Sequence, residues 1–592
     1  MLAAILGRNM EDKKAPPVPN TNSSASKSSG IGARKITGPL DPIAGDGLLR
    51  SGRFAGGLRN DIARRLPWYW SDWTDGAHGG IKTFTATLYM FFGCLAPAIA
   101  FGSFLDEHTD AETGVVEYLV TQGVSGVLFA IFSGQPLIIL RPTGPITVFL
   151  SQLYNICDSM DVPFLTVQAW TGIFVGSYMI VIALSDCCAL IRYCSAFTQH
   201  LFGFFVSAIF VTLGLTNIVD KFTTKTENPD NPMGDKVRYE ATHELILTVC
   251  TLSFAWYLAN FNKSPYFNAK VRDTISSFAV PIAIITFAIF ANVMTIDLDP
   301  LPVPEDFEPT KPGRDWLVDL CPPDACGKSI LTGAVAALPL VLLFFIDQNV
   351  TSLLTQDPEH KLRKGAAFHL NFFILGCFNI FFPILGCPFV TGSIPHSPQF
   401  VRALAQTVVV REGGRESTKI VNVFENRLAP LGVNLLILCC LPIVWELRKV
   451  PTAVINDALF LFMGLSGLPG NQLWERFKML FMEEKLMPPM KFSREEVPLM
   501  RQHAFTLIQI ACMFALYAVA RSPISIAFPI FLVLTIPVRM LIPTFTGGYI
   551  TTEMVEILDG ARQPTVNAAL DGDTKTVEES RSDTPPESAD AE

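Results

Sequence analysis

At 592 residues with 49% hydrophobic, only 17% charged and a mean hydropathy of +0.36, this chain falls well short of the charge that soluble domains carry, about 25%. Its net charge of −9 averages a basic segment ahead of the first apolar run (Arg34, Lys35, Arg50, Arg53, Arg59, Arg64, Arg65) with an acidic tail from about Glu553. Neither end suggests a nucleic-acid partner, because basic residues just before a membrane span are explained by orientation, and the N-terminal MLAAILGRNM is too short an apolar stretch for a secretory signal.

Uncharged runs then recur along the whole chain, among them Thr83–Leu105, Val162–Ser185, Tyr193–Val219 and Gly365–Val401. A helix crosses the hydrocarbon with about 20 apolar residues at about 1.5 Å each. Taken in order, the runs predict spans over 82–105, 118–140, 142–157, 163–185, 194–219, 242–261, 274–296, 329–356, 366–386, 394–410, 427–446, 451–471, 502–520 and 522–540. That is an all-α polytopic membrane protein with about fourteen segments, the third and tenth of unusual form. An even count puts both termini on one side, and the basic N-terminal segment makes it the cytosol. The loops agree: Lys263, Lys270 and Arg272, then Lys361, Arg363 and Lys364, then Lys478, Lys485, Lys491, Arg494 and Arg501 fall inside, while Asp106–Glu117 and Asp297–Asp324 fall outside and are acidic. Arg448 and Lys449 are the exception, placed outside. The segment QLWERFKMLFMEEKL (472–486) is amphipathic and is expected along the inner membrane surface.

Two places break the pattern. In GQPLIILRPTGPITVFL, Pro142 and Pro145 mark an ending and a fresh start, because proline cannot continue a helix but suits its first turn. In CPFVTGSIPHSPQFVRAL, Pro388, Gly392, Pro395 and Pro398 interrupt a run too long for one helix and too short for two. Pro145 and Pro395 are 250 residues apart, as are Pro97 and Asp347 inside the first and eighth spans. Paired breaks at one spacing point to two inverted repeats of seven segments, with half-helices at segments 3 and 10. The bland alternative is a proline kink in each of two ordinary helices. Half-helices meeting at mid-membrane would present free N–H groups and about half a positive charge each, a place that fits an anion or a neutral polyol-like acid with several oxygens.

Two charges lie at membrane depth. Asp347 follows a long uncharged stretch, and Thr351 and Thr355 share its helical face, near Asn349 and Ser352. A carboxylate there costs several kcal/mol unless paired, protonated or hydrated, which suits a proton-coupling role or a structural ion pair. Arg141 stands immediately before the first half-helix and has three readings: counter-charge to an anion, partner of Asp347, or a side chain snorkelling to the interface. Most of the 13 cysteines lie in apolar runs as ordinary buried thiols, but Cys321 and Cys326 bracket CPPDAC in the long acidic loop, where an extracellular setting would allow a disulfide. Gly327-Lys328-Ser329 lacks the upstream glycine of a phosphate loop. No metal-spaced Cys/His set, no catalytic constellation and no cofactor signature occurs, so neither metal, cofactor nor enzymatic activity is expected.

The motifs LAPAIAFG (95–102), SGQPL…PTGP (133–145), KLRKGAAFHLN (361–371), GSIPHSP (392–398), LFLFMGLSGLPGNQLWER (459–476) and RQHAFTLIQI (501–510) resemble, in the same order, the bicarbonate-transporter or anion-exchanger family, and most closely its borate-exporter branch from fungi and plants. The resemblance runs from about Trp73 to Pro543 and implies core and gate domains, a homodimer through the gate domains, and elevator-like movement of a substrate bound between the third and tenth half-helices. It carries Thr143, Gly144 and Pro145 to one half-helix start and Gly392, Ser393, His396 and Ser397 to the other. Asp347 matches a glutamate tied to proton coupling in animal exchangers. Those exchangers place an arginine near the tenth-helix start, where this chain offers His396; Arg141, at the pseudo-symmetric place, would supply the charge. With Thr351 these residues make up the expected substrate site.

The expected organisation is a cytosolic, largely disordered segment over 1–75, a transporter domain over 76–545 (repeats about 82–296 and 329–540) and an acidic cytosolic tail over 546–592. The leading functional expectation is borate or boric acid export across the plasma membrane; the short segment before the first span favours that branch over animal exchangers. Chloride–bicarbonate exchange is the runner-up, and a non-transporting membrane scaffold or sensor the third reading.

Overall fold

The computed structural model describes residues 45–48, 50–223, 234–294, 298, 300–305, 307–323, 325–412, 415–487, 496–522 and 524–559. The N-terminal stretch to residue 44, the tail from 560, and Lys491 and Arg494 lie outside the described residues, and with them most of the expected disordered ends.

Of the segment expected over 1–75 to be largely disordered, the described part includes α1 (Gly56–Arg65) and α2 (Tyr69–His78), which pack on the membrane region. Repeat one then runs α3 (Gly80–His108), α4 (Val115–Phe132), strand β1 (Leu140–Arg141), α5 (Gly144–Met160), α6 (Phe164–Leu184), α7 (Ala196–Thr223), α8 (Gly234–Ala259), α9 (Ala269–Ser277) and α10 (Ala279–Val293). Repeat two runs α11 (Cys326–Thr355), α12 (His369–Ile384), strand β2 (Thr391–Gly392), α13 (His396–Leu404), strands β3 (Ala405–Glu412) and β4 (Arg415–Val423), α14 (Leu428–Cys440), α15 (Ala458–Ser466) after a π-turn at Ala453–Asp457, α16 (Gln472–Met479), α17 (Leu499–Ala520) and α18 (Phe528–Phe545); α19 (Thr552–Leu558) follows. Asp559 ties α19 back, accepting from Phe197 N (2.9 Å) and Arg539 Nε (2.6 Å), so the tail expected from 546 is docked at least to this point.

Each of the fourteen expected spans overlaps a helix, but among the described residues eight helices are long and apolar enough to cross a membrane, or nine if the pair bent by 67° at Phe278 counts as one span. Two expectations fail at the breaks. The second span ends at Phe132, not 140: Pro136 cannot continue a helix, and Ser133–Leu140 runs on as buried chain through bends and a turn into strand β1. The tenth, expected to 410, stops at Leu404 and gives way to the β3–β4 hairpin, whose Val408-Val409-Val410 run is apolar without being helical.

The helices pack in two groups with a matching plan. α6 lies on α12 and α11, and its counterpart α14 lies on α4 and α3; α3 meets α5 as α11 meets α13. α6 and α12 cross so closely that a Cβ at Gly176 would come within 2.4 Å of the Gly376 carbonyl, which only glycine permits. The second group, α7, α8, α10, α15, α17 and α18, forms the gate side, with α7 against α15 and α10 against α8.

The repeat relation is fixed at one point. β1 pairs antiparallel with β2, Arg141 opposite Thr391 and Leu140 opposite Gly392. Arg141 therefore pairs with the residue 250 positions later, the spacing of Pro145 and Pro395, as expected where a pseudo-twofold axis passes between inverted repeats. Extended chain at this depth must have its polar groups satisfied by protein. Asn371 Oδ1 accepts from Gly134 N (2.9 Å) and Gln135 N (3.2 Å), Asn379 Oδ1 from Val390 N (2.9 Å), Gln348 Oε1 from Gly392 N (2.8 Å), and Gln168 Nε2 donates to the Cys387 carbonyl (2.7 Å).

Candidate functional site

The two strands bring the starts of α5 and α13 together, and a cavity of about 500 Å³ lies beside them. Of the expected site residues, Arg141, Thr143, Gly144, Pro145, Asp347, Ser393 and His396 line it. Thr351, Gly392 and Ser397 do not. They are fully buried behind the strands: Thr351 Oγ1 lies 2.7 Å from the Asp347 carbonyl and 2.9 Å from that of Gly392, while Ser397 Oγ donates to the Ser393 carbonyl (2.8 Å) and accepts from Ile139 N (3.0 Å). They hold the crossing rather than face the cavity. The polar stripe expected along α11 is likewise turned inward, since Ser352 and Thr355 bond carbonyls of their own helix.

Arg141 is 4% exposed and Asp347 3%, so snorkelling to the interface is excluded. Arg141 Nε donates to Ser393 Oγ (3.2 Å), its guanidinium carbon stands 5.7 Å from the centroid of the Phe101 ring, and its Nη1 has no hydrogen-bond partner among the described residues. Asp347 Oδ2 accepts from Thr143 Oγ1 at 3.3 Å. Ser393 Oγ also lies 2.8 Å from His396 Nδ1. The walls thus offer a guanidinium with an unused N–H edge, two helix starts, two hydroxyls, an imidazole and one carboxylate.

The cavity extends along the N-terminal halves of α3 and α7 and toward the ends of α8 and α15, past Tyr89, Phe202, Ala259, Ser276 and Gly467. In the opposite direction it is shut. Phe101 of α3 stacks on Phe210 of α7 (5.7 Å between centroids) and tilts against Phe460 of α15 (5.7 Å), and Phe104 meets Phe460 edge-on (5.8 Å). Asn456 Nδ2, in the π-turn, donates to Ser103 Oγ on α3 (2.9 Å). Gly144 is bare because a Cβ would strike the Phe210 ring at 2.3 Å. Sequence reasoning did not single out these aromatic residues; Phe101 sits inside the LAPAIAFG motif, but Phe210 and Phe460 are ordinary members of phenylalanine-rich runs. In the long loop Cys321 and Cys326 are joined as a disulfide, Cα atoms 4.5 Å apart.

Inverted repeats whose broken helices meet at a buried, charged cavity define a multi-pass membrane protein of transporter type. The profile described as the HCO3- transporter integral membrane domain matches residues 53–244 and 231–563, and the chain belongs to that family. Mouse band 3 anion transport protein is 31% identical over 91% of this chain and 58% of its own length; human solute carrier family 4 member 11 is 30% identical over 86% of this chain and 63% of its own. The rat electroneutral sodium bicarbonate exchanger 1 is 28% identical over 90% of this chain and 53% of its own length, so the chain spans little more than half of these relatives. Among solved structures, SLC26A9 shares the fold, with a TM-score of 0.51 at 12% identity over 88% of this chain and 73% of that one.

Proposed function

We propose that this chain is a plasma-membrane transporter that carries a small inorganic anion, and that the anion is borate, exported as such or as boric acid with charge compensation. The observation that carries the reading is the buried Arg141 guanidinium, whose Nη1 lacks a partner in the wall of a cavity flanked by two helix starts. An unpaired buried cation is costly unless an anion completes it. Borate also brings O–H groups that Asp347 can accept, which chloride cannot offer. Boric acid is mostly neutral at cytosolic pH, so binding the anion releases a proton, and Asp347 is the group proposed to couple to it. Family membership and the anion and bicarbonate transport named for the relatives support anion transport, and the resemblance of GSIPHSP to the borate branch supports this substrate.

In this reading the domain over 76–545 works as a homodimer in the lipid bilayer with both termini cytosolic, needs no metal or cofactor, and catalyses no covalent reaction. The cavity then faces the cytosol, with the aromatic cluster and the Asn456–Ser103 contact closing the outer side. Elevator-type movement of the core repeats past the gate helices exposes the same site outside.

The test is cellular boron after borate loading, by elemental mass spectrometry, in transporter-deficient cells expressing the chain or its Asp347→Asn variant. Lower boron with the wild type alone supports export and the role of Asp347. Equal lowering by both removes that role and keeps the substrate. No lowering by either, with protein at the surface, turns the reading to chloride–bicarbonate exchange, which dependence on external chloride would identify; bicarbonate exchange and anion transport are what the names of two relatives state.

A further inference from the structure

Arg141 can serve an anion only if its guanidinium is held with the right edge outward, and the side chain has several rotatable bonds. What holds it is a single hydroxyl. A guanidinium has no acceptor, so in the 3.2 Å contact Arg141 Nε donates and Ser393 Oγ accepts. The second contact of the hydroxyl, to His396 Nδ1 2.8 Å away, takes its direction from the imidazole tautomer: with the ring proton on Nε2, Nδ1 accepts the hydroxyl proton. In that tautomer the result is a one-way donor chain from β1 into the first turn of α13: Arg141 to Ser393 to His396.

The backbone of Ser393 is not free to adjust. Its N–H donates to the Ile139 carbonyl (2.8 Å) and its own carbonyl accepts from Ser397 Oγ (2.8 Å), so Arg141 and His396 decide where the hydroxyl points. Phe101 restrains the guanidinium through its ring face, leaving Nη1 buried without a partner.

We infer that Ser393 is a positioning residue for transport: oriented by His396, its hydroxyl holds the Nε of Arg141 so that the rest of the guanidinium is left to serve the anion. The role rests on the anion-transport reading above, but not on which anion is carried. Without the hydroxyl, the guanidinium is free to turn toward Asp347, and an Arg141–Asp347 pair would neutralise the site.

The experiment is transport kinetics of the full chain in vesicles, with borate and separately with chloride and bicarbonate as substrates. Ser393→Ala is expected to raise KM about tenfold, the order of one charge-assisted hydrogen bond, with Vmax within about twofold. Ser393→Cys, which keeps the volume and offers a weak acceptor, is expected to raise KM in the same direction and guards against a folding defect in the alanine variant. Thr355→Ala is the structural control: its hydroxyl is buried, bonds the Thr351 carbonyl within α11 and lies outside the cavity, so it is expected to lower thermal stability and leave KM unchanged. Unchanged KM in both Ser393 variants overturns the inference, as does an equal rise in KM with Thr355→Ala. Wild-type vesicles that move none of the three anions overturn the functional reading and this role together.

Discussion

The two breaks share a scaffold but not a chemistry. In each, a helix of the core stops, a short extended stretch crosses the other, and a new helix starts from a hydroxyl-bearing residue: Thr143 before α5 and, 250 positions on, Ser393 before α13. The charges are unequal. Arg141 in β1 faces Thr391 in β2, and Asp347 on α11 corresponds to Pro97 on α3. Each of these hydroxyls bonds the charge contributed by the other repeat: Ser393 accepts from Arg141, and Thr143 donates to Asp347. Duplication supplied the symmetric crossing, and single-residue differences turned it into a site with one cation and one carboxylate.

The largest effects should come from what ends the two incoming helices. Arg427 is fully buried, donates to the carbonyls of Ala130 (2.8 Å), Ile131 (3.2 Å) and Ser133 (2.8 Å) at the end of α4, and pairs with Asp72 (3.1 Å). Arg314 does the corresponding work beyond α12 with less: it donates to the Glu112 carbonyl (2.8 Å), lies 3.5 Å from that of Gly386 and pairs with Glu117 (3.0 Å). Arg427→Ala should cost about 3–5 kcal/mol, as when a buried pair loses one partner. Arg314→Ala should cost about 1–3 kcal/mol. Thermal unfolding of the solubilised variants checks this, and equal losses would mean that the breaks are supported alike.

Carboxylates guard the starts of the same two helices. Glu117 accepts from Gly114 N (2.9 Å) and Thr310 N (2.9 Å) at α4. Asp61, reaching over from α1, accepts from Phe368 N (2.9 Å) and Leu370 N (3.1 Å) at α12, with Arg64 at 3.7 Å. Burial outweighs these hydrogen bonds and pushes the Asp61 carboxyl up to about 6. The native state then holds a proton that the unfolded chain has released, so this contribution to stability is full below about pH 4 and is lost as pH rises through about 6. Asp61→Asn should flatten stability between pH 4 and 6 by up to about 3 kcal/mol; an unchanged slope would show that Asp61 is not the group titrating.

The charge asymmetry can be tested at the strand pair itself. Arg141→Ala removes the cation and should lower transport by roughly 10- to 150-fold, the range of about 1.5–3 kcal/mol for a hydrogen bond to a charged group. Thr391→Val changes the facing residue, whose hydroxyl is buried without a partner among the described residues, and should leave transport within about twofold. If Thr391→Val were as damaging, the strand pairing and not the guanidinium would carry the effect.

Proline and glycine made both breaks legible, because their backbone restrictions act locally whatever surrounds them. Arg141 and Asp347 were equally visible, since a charge inside an apolar run stands out without knowledge of the fold. The extent of each break was not. Ser133–Leu140 is buried in protein, and composition alone does not separate buried irregular chain from a helix, although Gly134 and Pro136 signalled the end. The cluster of Arg65, Asp72, Lys364, Glu425 and Arg427 joins residues up to 360 positions apart, and no local pattern announces it. Thr351 and Ser397 were placed in the site by their helical face or motif; which side of a crossing a hydroxyl serves is decided by the partner strand.

The smallest effect should separate the two hydroxyls. Thr143 donates to Asp347 across 3.3 Å, near the long limit of a hydrogen bond, whereas Ser393 stands within reach of both Arg141 and His396. Thr143→Val keeps the shape of the side chain and removes one long bond to a carboxylate that also borders the cavity. It should change transport by about two- to fivefold, near 0.5–1 kcal/mol, and should act on the pH profile more than on KM, because Asp347 and not the cation loses its donor. A shift in KM as large as that of Ser393→Ala would make the two hydroxyls functionally equivalent. The asymmetry argued from Arg141 and Asp347 would then stop at the charges themselves.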